Sequence, residues 1–213
     1  MEEDNAVMVS GDRGGGALFP PEDAEHLESG GEHQAGQEPG GRGDERRRRG
    51  TGRAPEADPE SAARAIVLRQ LTGSPKSRKQ LADKLFERDI PDEIAENILD
   101  RFEELQLIDD AAFADAWVRS RARTRGLSRS ALRRELRDKG IAEELSAAAL
   151  EQLSGEDEVE MARELVEKKV RSMPAGLERD KGVRRLVAML GRKGYSSGIA
   201  FRVVNEVWPD ARG

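Results

Sequence analysis

The stretch LADKLFERDIPDEIAENILDRF, residues 81–102, decides the fold. Its large apolar residues recur every four or five positions, which is typical of one face of a helix interrupted once by a turn. These residues are Leu81, Leu85, Ile90, Ile94, Ile98 and Phe102. The interruption lies at Arg88-Asp89-Ile90, and Pro91 follows it, where a proline suits the start of a second helix. The stretch therefore predicts two consecutive amphipathic helices.

The same apolar ladder occurs twice more along the chain. At an offset of 51 positions it consists of Leu132, Leu136, Ile141, Leu145, Ala149 and Leu153. A further offset of 54 gives Leu186, Leu190, Tyr195, Ile199, Val203 and Val207. The interruption recurs as Lys139-Gly140-Ile141 and as Lys193-Gly194-Tyr195. A fixed spacing of this kind indicates an internal structural repeat, with the ladder residues in its core.

Another helical pattern precedes each ladder, beginning near Ser61, Asp110 and Asp157. Each unit therefore contains three helices, whose apolar stripes can close a small core. We predict an all-α fold of three tandem three-helix repeats, at residues 61–108, 109–154 and 155–213, which form an elongated curved body. Ser77 and Ser128 are the predicted N-caps of two of these helices.

Residues 1–60 differ from the rest in composition. They contain 12 of the 22 Gly and carry a net charge of −8, whereas residues 61–213 carry +2. Few apolar residues are available there to offset the entropy of ordering. We expect a disordered, Gly-rich acidic tail. The acidic balance of the whole chain is therefore a property of the tail and does not argue against nucleic-acid binding by the repeats.

Residue types that carry most catalysis are missing from the predicted repeats. The chain has no Cys, and both His lie in the tail, so the commonest general base and metal ligand are absent. The adjacent acids Asp109 and Asp110 stand where a helix begins, which favours capping over metal binding. No signal peptide or membrane-spanning stretch is apparent. We expect a non-enzymatic, cytoplasmic and monomeric binding protein without cofactor or metal, and without membrane contact.

Basic residues are densest between positions 119 and 139, where they outnumber acids by seven. They are Arg119, Arg121, Arg123, Arg125, Arg129, Arg133, Arg134, Arg137 and Lys139. A weaker group on the equivalent helix of the third repeat comprises Lys181, Arg184, Arg185, Arg192 and Lys193. Such a local excess favours a face that binds phosphates or an acidic protein surface. The alternative is arginine used for solubility and for helix-end dipoles.

The chain resembles the RecX family in two motifs. One is LQLIDDAAFADAWV, residues 105–118, and the other runs from Gly126 through Leu132-x-x-Glu135-Leu136 to Lys139-Gly140-Ile141. The three-fold arrangement also matches that family, over roughly residues 61–210. The resemblance implies a protein that binds the RecA recombinase and lies in the groove of the RecA–single-stranded DNA filament. It would inhibit filament growth, ATP hydrolysis and strand exchange, and so modulate recombinational repair and the SOS response.

Two other functions stay open at this point. Three-helix units also resemble helix-turn-helix modules, so the chain could act on DNA directly by base recognition. The third helices offer only Asn97, Gln152 and Asn205 as amide side chains for base edges, so phosphate contacts without base recognition fit better. A plain interaction scaffold without salt-dependent DNA affinity is the remaining alternative.

Overall fold

The computed structural model describes residues 19, 58–174 and 176–208. Within these residues the chain forms nine α-helices and no β-strand. The helices are α1 (Pro59–Gly73), α2 (Arg78–Phe86), α3 (Asp92–Glu104), α4 (Asp110–Arg125), α5 (Arg129–Asp138), α6 (Glu143–Leu150), α7 (Gly155–Arg171), α8 (Arg179–Arg192) and α9 (Ser197–Val207). The predicted all-α fold of three tandem three-helix repeats is confirmed. The predicted boundaries between repeats stay predictions.

Side-chain caps fix where several helices begin. The Ser77 and Ser128 hydroxyls accept from the backbone N–H groups of Gln80 and Ala131, as predicted. Asp109 caps α4, because its carboxylate accepts from the Ala112 N–H at 2.8 Å. Each cap satisfies one of the donors that a helix N-terminus leaves without a partner.

Each repeat has its own apolar core. The first core lies among α1, α2 and α3, the second among α4, α5 and α6, and the third among α7, α8 and α9. Every position of the predicted apolar ladder lies in or packs against one of these cores. The helices of one repeat pack mainly against each other, so the repeats follow one another in series.

The junction between the first two repeats joins a helix start to a turn. The Ser77 hydroxyl, besides capping α2, donates to the Lys139 carbonyl oxygen at 2.6 Å. The Arg78 backbone N–H donates to the Asp110 carboxylate at 2.9 Å. Burial raises the pKa of Asp110 above its ordinary value, although the contacts from Arg78 act in the opposite direction. Gly140 has a φ of +80° and brings its backbone against the Lys79 side chain.

The second junction resembles the first, because its donors Ser128 and Arg129 are at the positions equivalent to Ser77 and Arg78, and Lys193 is equivalent to Lys139. The Ser128 backbone N–H donates to the Lys193 carbonyl oxygen at 3.0 Å, and the Arg129 N–H donates to the Glu158 carboxylate at 3.0 Å. Gly194 has a φ of +87°, and a Cβ there would lie 2.6 Å from the Ser128 hydroxyl oxygen. The sequence repeat therefore extends to the contacts between repeats.

The third repeat departs from this pattern at the position equivalent to Ser77 and Ser128. That position is Gly182, which lies inside α8 instead of before it. A Cβ on Gly182 would lie 2.3 Å from the Trp208 ring, which is itself buried. In the first two repeats, the face at this position contacts the following repeat. In the third repeat, the Trp208 indole ring covers the equivalent face.

The predicted disordered tail, residues 1–60, lies largely outside the described residues. Its last residues, Pro59 and Glu60, belong to α1, so the first helix begins two residues before Ser61. Phe19 is a second departure from that prediction. It is 4% exposed and belongs to the core of the second repeat.

Candidate binding surface

Four arginines of the predicted basic face lie exposed on two packed helices. Arg119 and Arg123 are one turn apart on α4, and Arg134 and Arg137 lie on α5. None of the four forms an ion pair with the described part of the chain. No carboxylate of the described residues pairs with them, and their exposed guanidinium groups can bind a phosphate or carboxylate of a partner.

Arg121 does not belong to this exposed face. Its side chain is buried, with the guanidinium carbon 4.2 Å from the centre of the Trp117 ring. The Glu135 carboxylate lies 4.0 Å from the Arg121 Nε and 3.6 Å from an Arg125 terminal nitrogen, and it accepts from the Trp117 indole N–H at 2.9 Å. The prediction that Arg121 lies on an exposed binding face is wrong, because it packs between α4 and α5 against this acid.

Lys139 also lies beside the Trp117 ring. Its ammonium nitrogen is 5.1 Å from the centre of the Trp117 ring, within the range of a cation–π contact. The Lys139 side chain is half-buried. Trp117 therefore has two of the predicted basic residues beside it.

Arg129 and Arg133 lie along a surface groove between the second and third repeats. The groove has a volume of about 460 Å³, and Glu158, Gly194, Ser196 and Ile199 also line it. The Arg133 Nε is 3.3 Å from the Glu143 carboxylate. The predicted stripe of Arg129, Arg133 and Arg137 is thus divided, since its first two members face this groove.

The basic residues of the third repeat are partly engaged within their own helix. Lys181 pairs with Glu178 at 2.9 Å, and the Arg184 Nε donates to the Asp180 carbonyl oxygen at 3.1 Å. Arg185 is exposed on α8. The predicted continuity of this group with the basic face of α5 stays a prediction.

Lys193 faces the junction between the repeats. Its ammonium group donates to the Arg125 carbonyl oxygen. Burial, together with the nearby positive charge of Arg125, lowers the pKa of Lys193. Lys193 is therefore directed towards the junction, and its part in a basic binding group stays a prediction.

Phe19 is the residue near this surface that sequence reasoning missed. Its ring is 4.8 Å from the Trp117 ring and 5.3 Å from the Phe113 ring, in edge-on arrangements. Phe113 and Trp117 are both buried. The available signal was that Phe19 is the only aromatic residue among the first 60.

Comparison with known proteins identifies the family. Sequence models of the first, second and third three-helix domains of RecX match residues 63–102, 109–150 and 156–204. The chain belongs to the RecX family. The three matched RecX domains coincide with the three helical repeats, and the motif that carried the resemblance, residues 105–118, spans the start of the second.

Relatives and solved structures agree with the RecX assignment. The protein named Regulatory protein RecX from Streptomyces lividans is 57% identical over 152 residues, which are 71% of this chain and 80% of that protein. The protein of the same name from Thermobifida fusca is 49% identical over 153 residues, which are 72% of this chain and 82% of that protein. The crystal structure of RecX from Lactobacillus salivarius gives a TM-score of 0.60 at 25% identity and covers 71% of this chain and 97% of that one. These relatives are named as regulators.

None of the nine described helices is both long enough and apolar enough to cross a bilayer.

Proposed function

We propose that this chain is a non-enzymatic regulator that binds RecA and the RecA–single-stranded DNA filament and inhibits filament growth, ATP hydrolysis and strand exchange. Through this activity it would modulate recombinational DNA repair and the SOS response. Membership of the RecX family supports the regulatory role, because the relatives carry that name. The choice of RecA as the partner follows the family resemblance.

The observation that carries the proposal is the exposed arginine group of α4 and α5. Arg119, Arg123, Arg134 and Arg137 have no ion-pair partner among the described residues. Arginine binds carboxylates and phosphates through two parallel hydrogen bonds. A filament presents both groups, as acidic side chains and as DNA phosphates. We therefore assign these arginines to filament contact.

The serial arrangement of the repeats also suits this partner. A body whose units contact only their neighbours presents a long surface, and repeat proteins use such surfaces for extended partners. Because the three repeats have similar apolar cores but differ in surface charge, the second repeat would carry most of the electrostatic contact. The third repeat would add Lys181, Arg184 and Arg185.

Base recognition by a helix-turn-helix module is the weaker alternative. The Gln152 side chain, one of three amides on or just beyond the third helices, donates to the carbonyl oxygens of Ala149 and Asp115 at 2.7 and 3.4 Å. Its amide donors are thus directed to the protein's own backbone. The surface therefore offers exposed arginines but few Asn or Gln side chains that could bind base edges. This combination favours contact with phosphates over recognition of bases.

The test is RecA's DNA-dependent ATP hydrolysis with the full chain titrated at ratios below one per RecA monomer. We expect inhibition by the wild type. The triple substitution Arg123→Gln, Arg134→Gln and Arg137→Gln should weaken it by at least about tenfold, since a lost charge-assisted hydrogen bond costs about 1.5–3 kcal/mol. The matched control is Lys168→Gln, Lys169→Gln and Arg171→Gln on α7, which removes the same charge from another repeat.

Equal inhibition by both triple variants would reject the arginine group as the contact surface. No inhibition by a folded wild-type chain at large excess would reject RecA regulation altogether. Salt-sensitive binding of single-stranded DNA in that case would favour direct action on DNA.

A further inference from the structure

The groove between the second and third repeats contains an arginine whose charge is not paired with any carboxylate of the described residues. Arg129 and Arg133, one turn apart on α5, line this groove together with Ser130 and, from the third repeat, Ser196. The Arg129 side chain is half-buried, and it forms no ion pair or hydrogen bond within the described part of the chain. A half-buried guanidinium has lost part of its hydration, so it favours an anion as its partner.

The first repeat shows what the equivalent arginine binds when its own repeat supplies acids. Arg129 lies 51 positions after Arg78, which is the offset of the apolar ladder. The Arg78 guanidinium donates to three carboxylates of α3, those of Glu96 at 2.5 Å, Asp100 at 2.7 Å and Glu103 at 2.6 Å. The terminal nitrogens of this guanidinium therefore contact three acidic oxygen atoms.

The second repeat lacks two of these three acids. The positions equivalent to the α3 carboxylates are Ala147, Glu151 and Ser154. Glu151 is exposed and does not pair with Arg129. The second repeat thus keeps the arginine but not the oxygen atoms that hold it in the first. A group with several acidic oxygens from a partner would replace them.

We propose that this groove binds a backbone phosphate of single-stranded DNA, with Arg129 as the main contact. The Arg133 side chain and the hydroxyls of Ser130 and Ser196 would be further donors. Binding of the phosphate does not depend on RecA, whereas its use on the RecA filament rests on the proposed function.

The donors of the groove suit a phosphate better than a protein carboxylate. They are guanidinium and hydroxyl groups from two repeats, so they approach a ligand from different directions. A tetrahedral phosphate directs its oxygen atoms in several directions, whereas the two oxygens of a carboxylate lie in one plane. The Ser196 hydroxyl accepts from the Ile199 N–H at 3.2 Å, which leaves its own proton to donate.

Two carboxylates at the groove limit the charge that it can bind. Glu158 also lines the groove and accepts from the Arg129 backbone N–H at 3.0 Å, at the start of α5, where the helix dipole partly compensates its charge. Glu143 lies 3.3 Å from the Arg133 Nε. Arg129 is therefore the main source of uncompensated positive charge. A singly charged phosphodiester suits this balance better than a doubly charged phosphate monoester.

The groove also continues the exposed arginine group of α5. Arg137 lies one turn after Arg133, which is about 6 Å along the helix axis. A DNA strand bound at Arg137 and extended towards the third repeat would therefore pass the groove.

Anisotropy of a short fluorescent oligothymidylate, titrated with the full chain at low salt, tests the proposal. Arg129→Gln should lower affinity about tenfold. It should also reduce the slope of log affinity against log salt concentration by about 0.7, the value for one phosphate of a single strand. The matched control is Arg64→Gln at an exposed position of α1, which should stay within about twofold of the wild type. An unchanged urea midpoint of Arg129→Gln separates lost binding from lost folding.

A second variant gives Arg129 an acid of its own. Ala147→Glu restores the carboxylate that Glu96 provides in the first repeat, so it should compete with DNA and lower affinity as much as Arg129→Gln does. Ala148→Glu adds the same charge at the next, exposed position of α6 and should lower affinity only about twofold. In a chain that already carries Arg129→Gln, the two glutamates should have equal effects.

Wild-type affinity of the Arg129→Gln chain would overturn the proposal, as would equal effects of the two glutamates in the wild-type background. A polyglutamate peptide gives the carboxylate comparison. If Arg129→Gln weakens binding of this peptide as much as that of oligothymidylate, the assignment to phosphate is wrong. A chain that binds oligothymidylate through Arg129 and fails to inhibit RecA would reject the proposed function alone.

Discussion

The Tyr195 hydroxyl donates a hydrogen bond to the Gly126 carbonyl oxygen at 3.1 Å across the junction between the second and third repeats. The other two repeats have isoleucine at the equivalent position, as Ile90 and Ile141. The tyrosine keeps the apolar packing of the ladder and adds a polar contact to the preceding repeat. The hydrogen bond across the junction, and not the packing of the core, therefore explains why the third repeat has tyrosine where the other two have isoleucine.

The ionisation of Tyr195 is the first testable consequence. Burial, with the negative charges of Glu158 and Glu164, raises its pKa above the ordinary value of 10.0. Since Tyr195 is the only tyrosine, absorbance of the phenolate reports it alone. We expect no titration near pH 10 in the folded chain and an ordinary titration in urea.

The sign of the effect on stability follows from the two states. Above pH 10 the unfolded chain loses the phenolic proton first, so folding stability present below pH 10 is lost as pH rises towards the folded-state pKa. Tyr195→Phe should lose about 1 kcal/mol at neutral pH, through the missing hydrogen bond, and should show a shallower alkaline loss. A titration of the folded chain at pH 10 would contradict the buried hydroxyl.

Ser77→Ala should cost more stability than an ordinary helix cap. The hydroxyl caps α2 and also donates to the Lys139 carbonyl oxygen of the next repeat. We expect a loss of about 2 kcal/mol in urea denaturation, the sum of a cap and a hydrogen bond. The matched variant is Ser196→Ala, which removes the cap of α9, where the hydroxyl accepts from the Ile199 N–H, and it should cost about 1 kcal/mol. Equal losses would show that the junction contact contributes nothing.

Glycine substitutions separate backbone strain from helix propensity. Gly194→Ala should destabilise the chain by at least about 1–2 kcal/mol, because its φ is +87° and a Cβ would approach both Ser128 and Ala131 within 2.7 Å. Gly191→Ala, three residues earlier on α8 with open space around it, should stabilise by about 0.5–1 kcal/mol. Thermal unfolding of the two variants should move in opposite directions, and a shift in the same direction would contradict this account of the junction.

Glu135→Gln tests the carboxylate that lies next to both Arg121 and Arg125. Glu135 accepts from the Trp117 indole and lies beside the buried Arg121 and the half-buried Arg125. Removing its charge should cost about 1–3 kcal/mol, because the buried guanidinium loses a compensating anion. Glu144→Gln, an exposed change on α6, should stay within about 0.5 kcal/mol. Equal urea midpoints for the two variants would exclude a structural role for Glu135.

The sequence predicted the parts of the fold that depend on local periodicity. The ladder from Leu81 to Phe102 identified core positions because helical spacing places them on one face. The caps Ser77 and Ser128 followed from residue type and from the adjoining helix pattern. The serine and lysine positions of the inter-repeat contacts recur with the offsets of the ladder, although the sequence alone gave no indication of which backbone groups would meet.

The candidate surface was less predictable, because the density of basic residues in a sequence does not specify which side chains point towards solvent. In the sequence, Arg121 is flanked by arginines whose side chains are exposed in the structure. The packing of α4 on α5 nevertheless places the Arg121 side chain against Glu135. Phe19 meets Phe113 across 94 positions of sequence, and no periodic pattern links the two. Contacts of this kind depend on tertiary packing and cannot be inferred from local spacing.

The Trp208 ring against Gly182 has a consequence for self-association. In the first two repeats the serine at the equivalent position donates a hydrogen bond to the lysine carbonyl oxygen in the Lys-Gly turn of the following unit. A chain that ended in such an open face could accept the matching turn of another molecule and grow into a head-to-tail fibre. The indole fills that place in the third repeat. We therefore expect the third repeat not to bind the turn of a second molecule at this face.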